Sequence, residues 1–154
     1  MTVLWYFAYG KNVHLSEFAK RIEGAPLMVC RGLLPGYRLV FSKTPGPKPG
    51  AGYANIELCG GEWVEGVLYL ITKEQLKKID RYEGYPDHYT RSNVKVWNID
   101  LKMWVNAVAY FAVNTDSRLK PSRDYVKVIL EGAKLVGLSS EWIERLKRLL
   151  DEAI

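Results

Sequence analysis

Apolar positions along this chain alternate between two rhythms, a period near two and a period near 3.6, and the expected elements follow from where one gives way to the other. Residues 3–9 are rich in β-branched and aromatic side chains, which suits a buried strand. Gly10 breaks that run, and Asn12 offers a side-chain oxygen as a helix N-cap. Leu15, Phe18, Ala19 and Ile22 then recur at helical spacing until Gly24-Ala25-Pro26 stops them. Residues 27–34 resume as a strand, Pro35-Gly36 reads as a turn, and 37–41 as the returning strand of a hairpin. Residues 42–52 hold three prolines and three glycines, so they form a loop, either a plain connector or the rim of a cavity.

Two more strands, 53–58 and 63–71, flank a turn at Gly60-Gly61. Thr72 with Gln75 is a capping box; Leu76 and Ile79 form the buried stripe of the helix it opens. Gly84 closes that helix in a left-handed cap, which leaves Glu83 at its end. Residues 89–97 and 101–113 read as a long antiparallel pair joined at Asn98-Ile99-Asp100. Pro121-Ser122 starts a helix with Val126, Ile129, Ala133 and Val136 on one face, ended by Gly137. Ser139 or Ser140 caps the last helix, whose inner face is Trp142, Ile143, Leu146, Leu149 and Leu150. This element order predicts an α+β protein of one domain spanning 1–154, its sheet curled toward a barrel with helices packed outside.

Composition changes the picture in a few places. A chain of 154 residues can bury a sizeable core, and five Trp with ten Tyr predict an aromatic interior or cavity. The net charge of +5 comes from cations scattered among acids, without a basic block or a nucleic-acid-reading motif. In the last helix the cations sit opposite the apolar face, as on any amphipathic helix. A solvated surface explains the charge better than a nucleic-acid partner. Cys30 and Cys59 form no C-x-x-C pair and lie near apolar segments, so reduced, buried thiols are expected. No stretch has the apolar length of a membrane span and the N-terminus lacks a signal-peptide pattern, so a cytoplasmic protein without a membrane partner is expected.

Most catalytic chemistries find no support. His14 and His88 show no H-x-x-x-H spacing and no neighbouring cysteine pair, so metal catalysis is poorly supported. There is no G-x-S-x-G elbow, and the glycines of 42–52 do not follow a phosphate-binding spacing. Two features remain. The strand–glycine–helix junction at Tyr9-Gly10-Lys11-Asn12 aims main-chain N–H groups at one point, an oxyanion site in principle and otherwise an ordinary junction. Glu83 lies in Asp80-Arg81-Tyr82-Glu83-Gly84-Tyr85-Pro86, at a helix C-terminus among tyrosines. The negative end of the helix dipole and apolar walls would both raise its pKa toward the range of a general acid–base. Composition alone also accommodates a surface glutamate.

The run Tyr6-Phe7-Ala8-Tyr9-Gly10-Lys11-Asn12 resembles the Y-F-A-Y-G-S-N signature of gamma-glutamylcyclotransferases. Asp80 through Glu83-Gly84 is similar to the segment carrying that family's catalytic glutamate, and Tyr89 matches an active-site tyrosine at slightly shorter spacing. Pro121-Ser122, Tyr125, Gly132-Ala133 and Gly137-Leu138 resemble its C-terminal pattern. The resemblance runs in order from about Leu4 to Leu149.

It implies a small mixed β-barrel with helices packed around an enclosed pocket. It also implies cyclisation of a γ-glutamyl group to 5-oxoproline, with release of an amine or amino acid and without cofactor, by a monomer or homodimer. Glu83 would be the catalytic acid–base; Tyr6, Phe7, Ala8, Tyr9, Gly10, Lys11, Asn12, Tyr89 and Tyr125 would bind substrate. Lys11 stands where the signature has Ser, and it could face solvent, pair with a substrate carboxylate or plug the pocket. The alternative is a non-catalytic or differently specific small-ligand-binding protein of the same fold.

Overall fold

The structure, a computed structural model, describes residues 2–154. Strand β1 spans Val3–Ala8 and leads through a 3-10 turn, Lys11–Val13, into helix α1, Leu15–Ile22. Strands β2, Met28–Lys43, and β3, Tyr53–Thr72, precede helix α2, Lys73–Glu83. Strands β4, Tyr89–Asn98, and β5, Met103–Ala112, precede helices α3, Arg123–Val136, and α4, Ser140–Glu152.

The strands close into a barrel in the order β1-β3-β2-β4-β5. All its pairings are antiparallel except β1 with β5, where Trp5 meets Ala107 and Tyr6 meets Val108 in parallel. The α+β class, the single curled sheet and the outer helices match the expectation from sequence. None of the described helices is long and apolar enough to cross a membrane.

Two expected turns are bulges instead. At Pro35-Gly36 the chain does not reverse; β2 continues for 16 residues, with a register shift between Pro35 and Tyr37. Opposite it, Gly60-Gly61 lies within the 20-residue β3. Tyr37 pairs with Leu58 and Pro35 with Trp63, so 59–62 bulge opposite the single residue Gly36. Gly36 takes φ +80 and Gly61 φ +84, a left-handed backbone that lets a paired strand bend without ending. Strands this long must bend to wrap a small barrel, and the bulge concentrates the bend.

Local chemistry sets most helix ends. Thr72 and Gln75 form the reciprocal capping box, and Gly84 ends α2 at φ +67. Ser122 caps α3 and Ser139, not Ser140, caps α4. Asn12 is not an N-cap: α1 begins after His14 without a side-chain cap, and Asn12 is buried within the 3-10 turn. Leu15 is exposed; α1 packs through Phe18 and Ile22. Cys30 is buried as expected, whereas Cys59, displaced by the β3 bulge, is half-buried.

Long-range packing then seats the 3-10 turn. Tyr6, Phe18 and Tyr69 stack, with Phe18 and Tyr69 centroids 3.9 Å apart, and the Tyr69 hydroxyl donates to the Asn12 carbonyl at 2.7 Å. Helix α3 approaches so closely that a Cβ on Gly132 would stand 2.6 Å from His14 Cα. Only a residue without Cβ allows that contact.

Candidate active site

Where the 3-10 turn, the end of α2 and one end of the barrel meet, they enclose a cavity of about 440 Å³. That is room for a small polar ligand. From the first strand and turn it takes Tyr6, Tyr9, Gly10, Lys11 and Asn12; from α2 it takes Glu83. Strand alternation explains which residues of the signature reach it. Tyr6 turns toward Tyr69 and Tyr110, while Phe7 turns to the opposite face against Gly66 and is fully buried. Phe7 is therefore not part of the cavity wall, and Ala8, although on the Tyr6 face, is buried and does not reach it either.

Glu83 ends the last turn of α2, and Asp80 holds that turn to the barrel. The Asp80 carboxylate accepts from Arg91 at 3.0 and 3.3 Å and from the Tyr110 hydroxyl at 2.5 Å. One turn on, Glu83 is half-buried and Asn12 Nδ2 stands 3.4 Å from its Oε1. The same Nδ2 donates to the Tyr6 hydroxyl at 3.1 Å, whereas the buried Asn12 Oδ1 has no hydrogen-bond partner among the described residues. Burial raises the Glu83 pKa from 4.5 to about 7, against the opposing pull of the Arg21 and Lys43 charges. Desolvation wins because neither cation forms an ion pair with it among the described residues.

Tyrosines form much of the remaining wall. The Tyr89 hydroxyl donates to the Ala54 carbonyl at 2.7 Å, and the Tyr125 hydroxyl accepts from the Ala54 amide at 3.4 Å. Both phenols have their pKa raised, by burial first. Neither hydroxyl bonds to Glu83; both are tied to the backbone of one β3 residue. Gly10 packs beneath Tyr125, where a Cβ would lie 3.0 Å from the hydroxyl. The Tyr9 hydroxyl donates to the Tyr110 carbonyl at 2.7 Å.

Lys11 reaches the cavity wall but is engaged, its Nζ 3.4 Å from Glu17 Oε1. Glu17 also meets Lys20 at 3.1 Å and Arg21 at 3.7 Å, and Arg21 stacks on Tyr82.

Several wall residues carry no strong sequence signal: Lys43, Tyr53, Tyr82, His88 and Tyr110. Period-two spacing from the buried Phe41 is the available hint for Lys43, which by sequence falls in the 42–52 loop and in the structure ends β2. Pro45 and Gly46 of that loop line the cavity, so the loop is a rim rather than a plain connector.

Residues 63–146 match the AIG2-like family. The human gamma-glutamylcyclotransferase is 32% identical over 148 residues, covering 94% of this chain and 77% of that protein. Its mouse counterpart is 31% identical over the same proportions. A solved structure of a gamma-glutamyl cyclotransferase superposes with a TM-score of 0.85 at 30% identity, covering 95% of this chain and 87% of that one.

Proposed function

Since this chain belongs to the gamma-glutamylcyclotransferase-like family, we propose that it closes γ-glutamyl groups to 5-oxoproline and releases an amine or amino acid. The observation that carries the reading is Glu83: a carboxyl inside the cavity, beside Asn12, with its pKa pushed up by burial to about 7. A carboxyl poised there can both take and return a proton near neutral pH.

In this mechanism the substrate's α-ammonium gives a proton to the Glu83 carboxylate. The freed nitrogen lone pair attacks the γ-carbonyl carbon and forms the ring C–N bond. Glu83 returns its proton to the leaving nitrogen as the old C–N bond breaks, and a second proton follows from the new ring nitrogen. Two protons thus pass from the α-nitrogen to the leaving nitrogen, and the products are the lactam and a free ammonium. Asn12, through Nδ2, would hold the Glu83 carboxylate and the Tyr6 hydroxyl beside the α-nitrogen. Main-chain N–H groups of the Gly10–Asn12 turn would face the developing oxyanion. Ring closure is intramolecular, so a wall that holds the glutamyl chain folded supplies rate through proximity.

Incubation with γ-glutamyl-alanine should release 5-oxoproline and alanine, measured by chromatography. Glu83→Gln should lower turnover by roughly 10²–10⁴ with little change in KM. Release of 5-oxoproline by the parent with turnover unaltered in Glu83→Gln would remove Glu83 from this role.

A further inference from the structure

The cavity contains a cation for which the mechanism above has no use. Lys43 ends β2 with 4% of its surface exposed, and its ammonium lines the cavity wall. Its Nζ donates to the Pro45 carbonyl at 3.2 Å and lies 3.0 Å from His88 Nδ1. The rings of Tyr53 and Tyr89 stand 5.9 and 5.8 Å from it.

An ammonium carries three N–H donors, and two partners leave one for the cavity. No Asp or Glu forms an ion pair with Lys43 among the described residues. Of the other cations near the site, Lys11 is paired with Glu17 and Arg21 with Glu17 and Tyr82, while Arg81 lines the cavity from an exposed position and keeps its water. Glu83 acts on Lys43 only from beyond ion-pair distance, and holding a cation out of water without a paired counter-charge is costly; a ligand that brings the charge recovers the cost.

We propose that Lys43 anchors a carboxylate of the substrate, with His88 and the Pro45 carbonyl fixing the direction of its ammonium. The proposal deepens the cyclotransferase reading and rests on it. A single ammonium among tyrosine rings matches one monoanionic carboxylate, and γ-glutamyl compounds offer two sources. Every one has the α-carboxylate; those whose leaving group is an amino acid have a second. A carboxylate bound there would also cancel one of the two cations acting on Glu83, so binding would increase that group's affinity for a proton.

The test compares kcat/KM of the parent, Lys43→Met and Lys43→Arg on γ-glutamyl-alanine and γ-glutamyl-ethylamine, which lacks the leaving-group carboxylate. Lys43→Met should lose roughly 10- to 100-fold on γ-glutamyl-alanine, mainly through KM, and Lys43→Arg should keep most of the parent's value. An equal loss on both substrates identifies the α-carboxylate as the one held; a loss confined to γ-glutamyl-alanine identifies that of the leaving group. Unchanged kcat/KM in Lys43→Met on both substrates overturns the anchor.

Calorimetry on the parent gives a check independent of how any variant folds. The parent should bind γ-glutamyl-alanine at least about tenfold more tightly than its diamide, in which both carboxylates are neutral. Equal binding overturns the anchor. If the parent binds γ-glutamyl-alanine in this way yet releases no 5-oxoproline, the cyclotransferase reading fails while the anchor stands. Absence of binding overturns both.

Discussion

Glu83 and Lys11 show how differently two charged side chains of one cavity wall are treated. Glu83 has lost water without gaining an ion pair, so its proton is held up to about pH 7. Catalysis through its carboxylate should therefore weaken as pH falls through about 7, giving kcat/KM an acidic limb there that is measurable from pH 5 to 9. Lys11 keeps a carboxylate partner in Glu17 and remains about one-third exposed, at 34%. An ion pair of that exposure contributes little. Lys11→Ser, which restores the residue of the family signature, should thus change kcat/KM by less than roughly threefold on both γ-glutamyl-alanine and γ-glutamyl-ethylamine. A larger change, or one confined to one of the two substrates, would show that Lys11 contacts ligand.

Between elements, the site depends on how α2 and α3 meet the barrel. Asp80 ties α2 to β4 through Arg91 and to β5 through Tyr110. Asp80→Ala should cost about 1–3 kcal/mol in urea denaturation. It should lower kcat more than it raises KM, because Glu83 sits one helical turn further on; a stability loss without any change in kcat would separate the two residues. Gly132 tests the other contact. Alanine is the better helix former by about 1 kcal/mol. Yet its Cβ would meet the His14 backbone at 2.6–2.7 Å. Gly132→Ala is therefore expected to destabilise by about 1–3 kcal/mol. A raised denaturation midpoint would mean that α3 can move away from the 3-10 turn.

For the whole molecule, the raised pKa of Glu83 makes the cavity a source of pH-dependent instability. The folded state prefers the neutral carboxyl, so this group's contribution is most favourable below about pH 4.5 and is lost as pH rises through about 7. The rise from 4.5 to about 7 corresponds to about 3 kcal/mol. Glu83→Gln should accordingly be more stable than the parent by about 2–3 kcal/mol at pH 8, and the gap should close near pH 4, read as midpoints at each pH.

Features that depend on a few neighbouring residues were legible in the sequence. The Thr72–Gln75 capping box, the Gly84 and Gly137 helix ends and the Ser122 cap rest on interactions within one turn of helix. The α+β class was legible too, because strand and helix periods are written into consecutive side chains. Pro35-Gly36 was not: the same dipeptide reverses a chain or bends a paired strand, and β3 lying alongside decided for the bulge. Asn12 could have capped a helix, but the Tyr69 hydroxyl holds its carbonyl and the side chain turns toward Glu83. The cavity is the extreme case, since Lys43, Glu83 and Tyr110 come from the end of β2, the end of α2 and the last third of β5. Sequence determined the helix ends, the strand and helix periods and the glutamate at the end of α2. Only the closed barrel decided which side chains face one another and how far each is removed from water, because desolvation is set by neighbours distant in the chain.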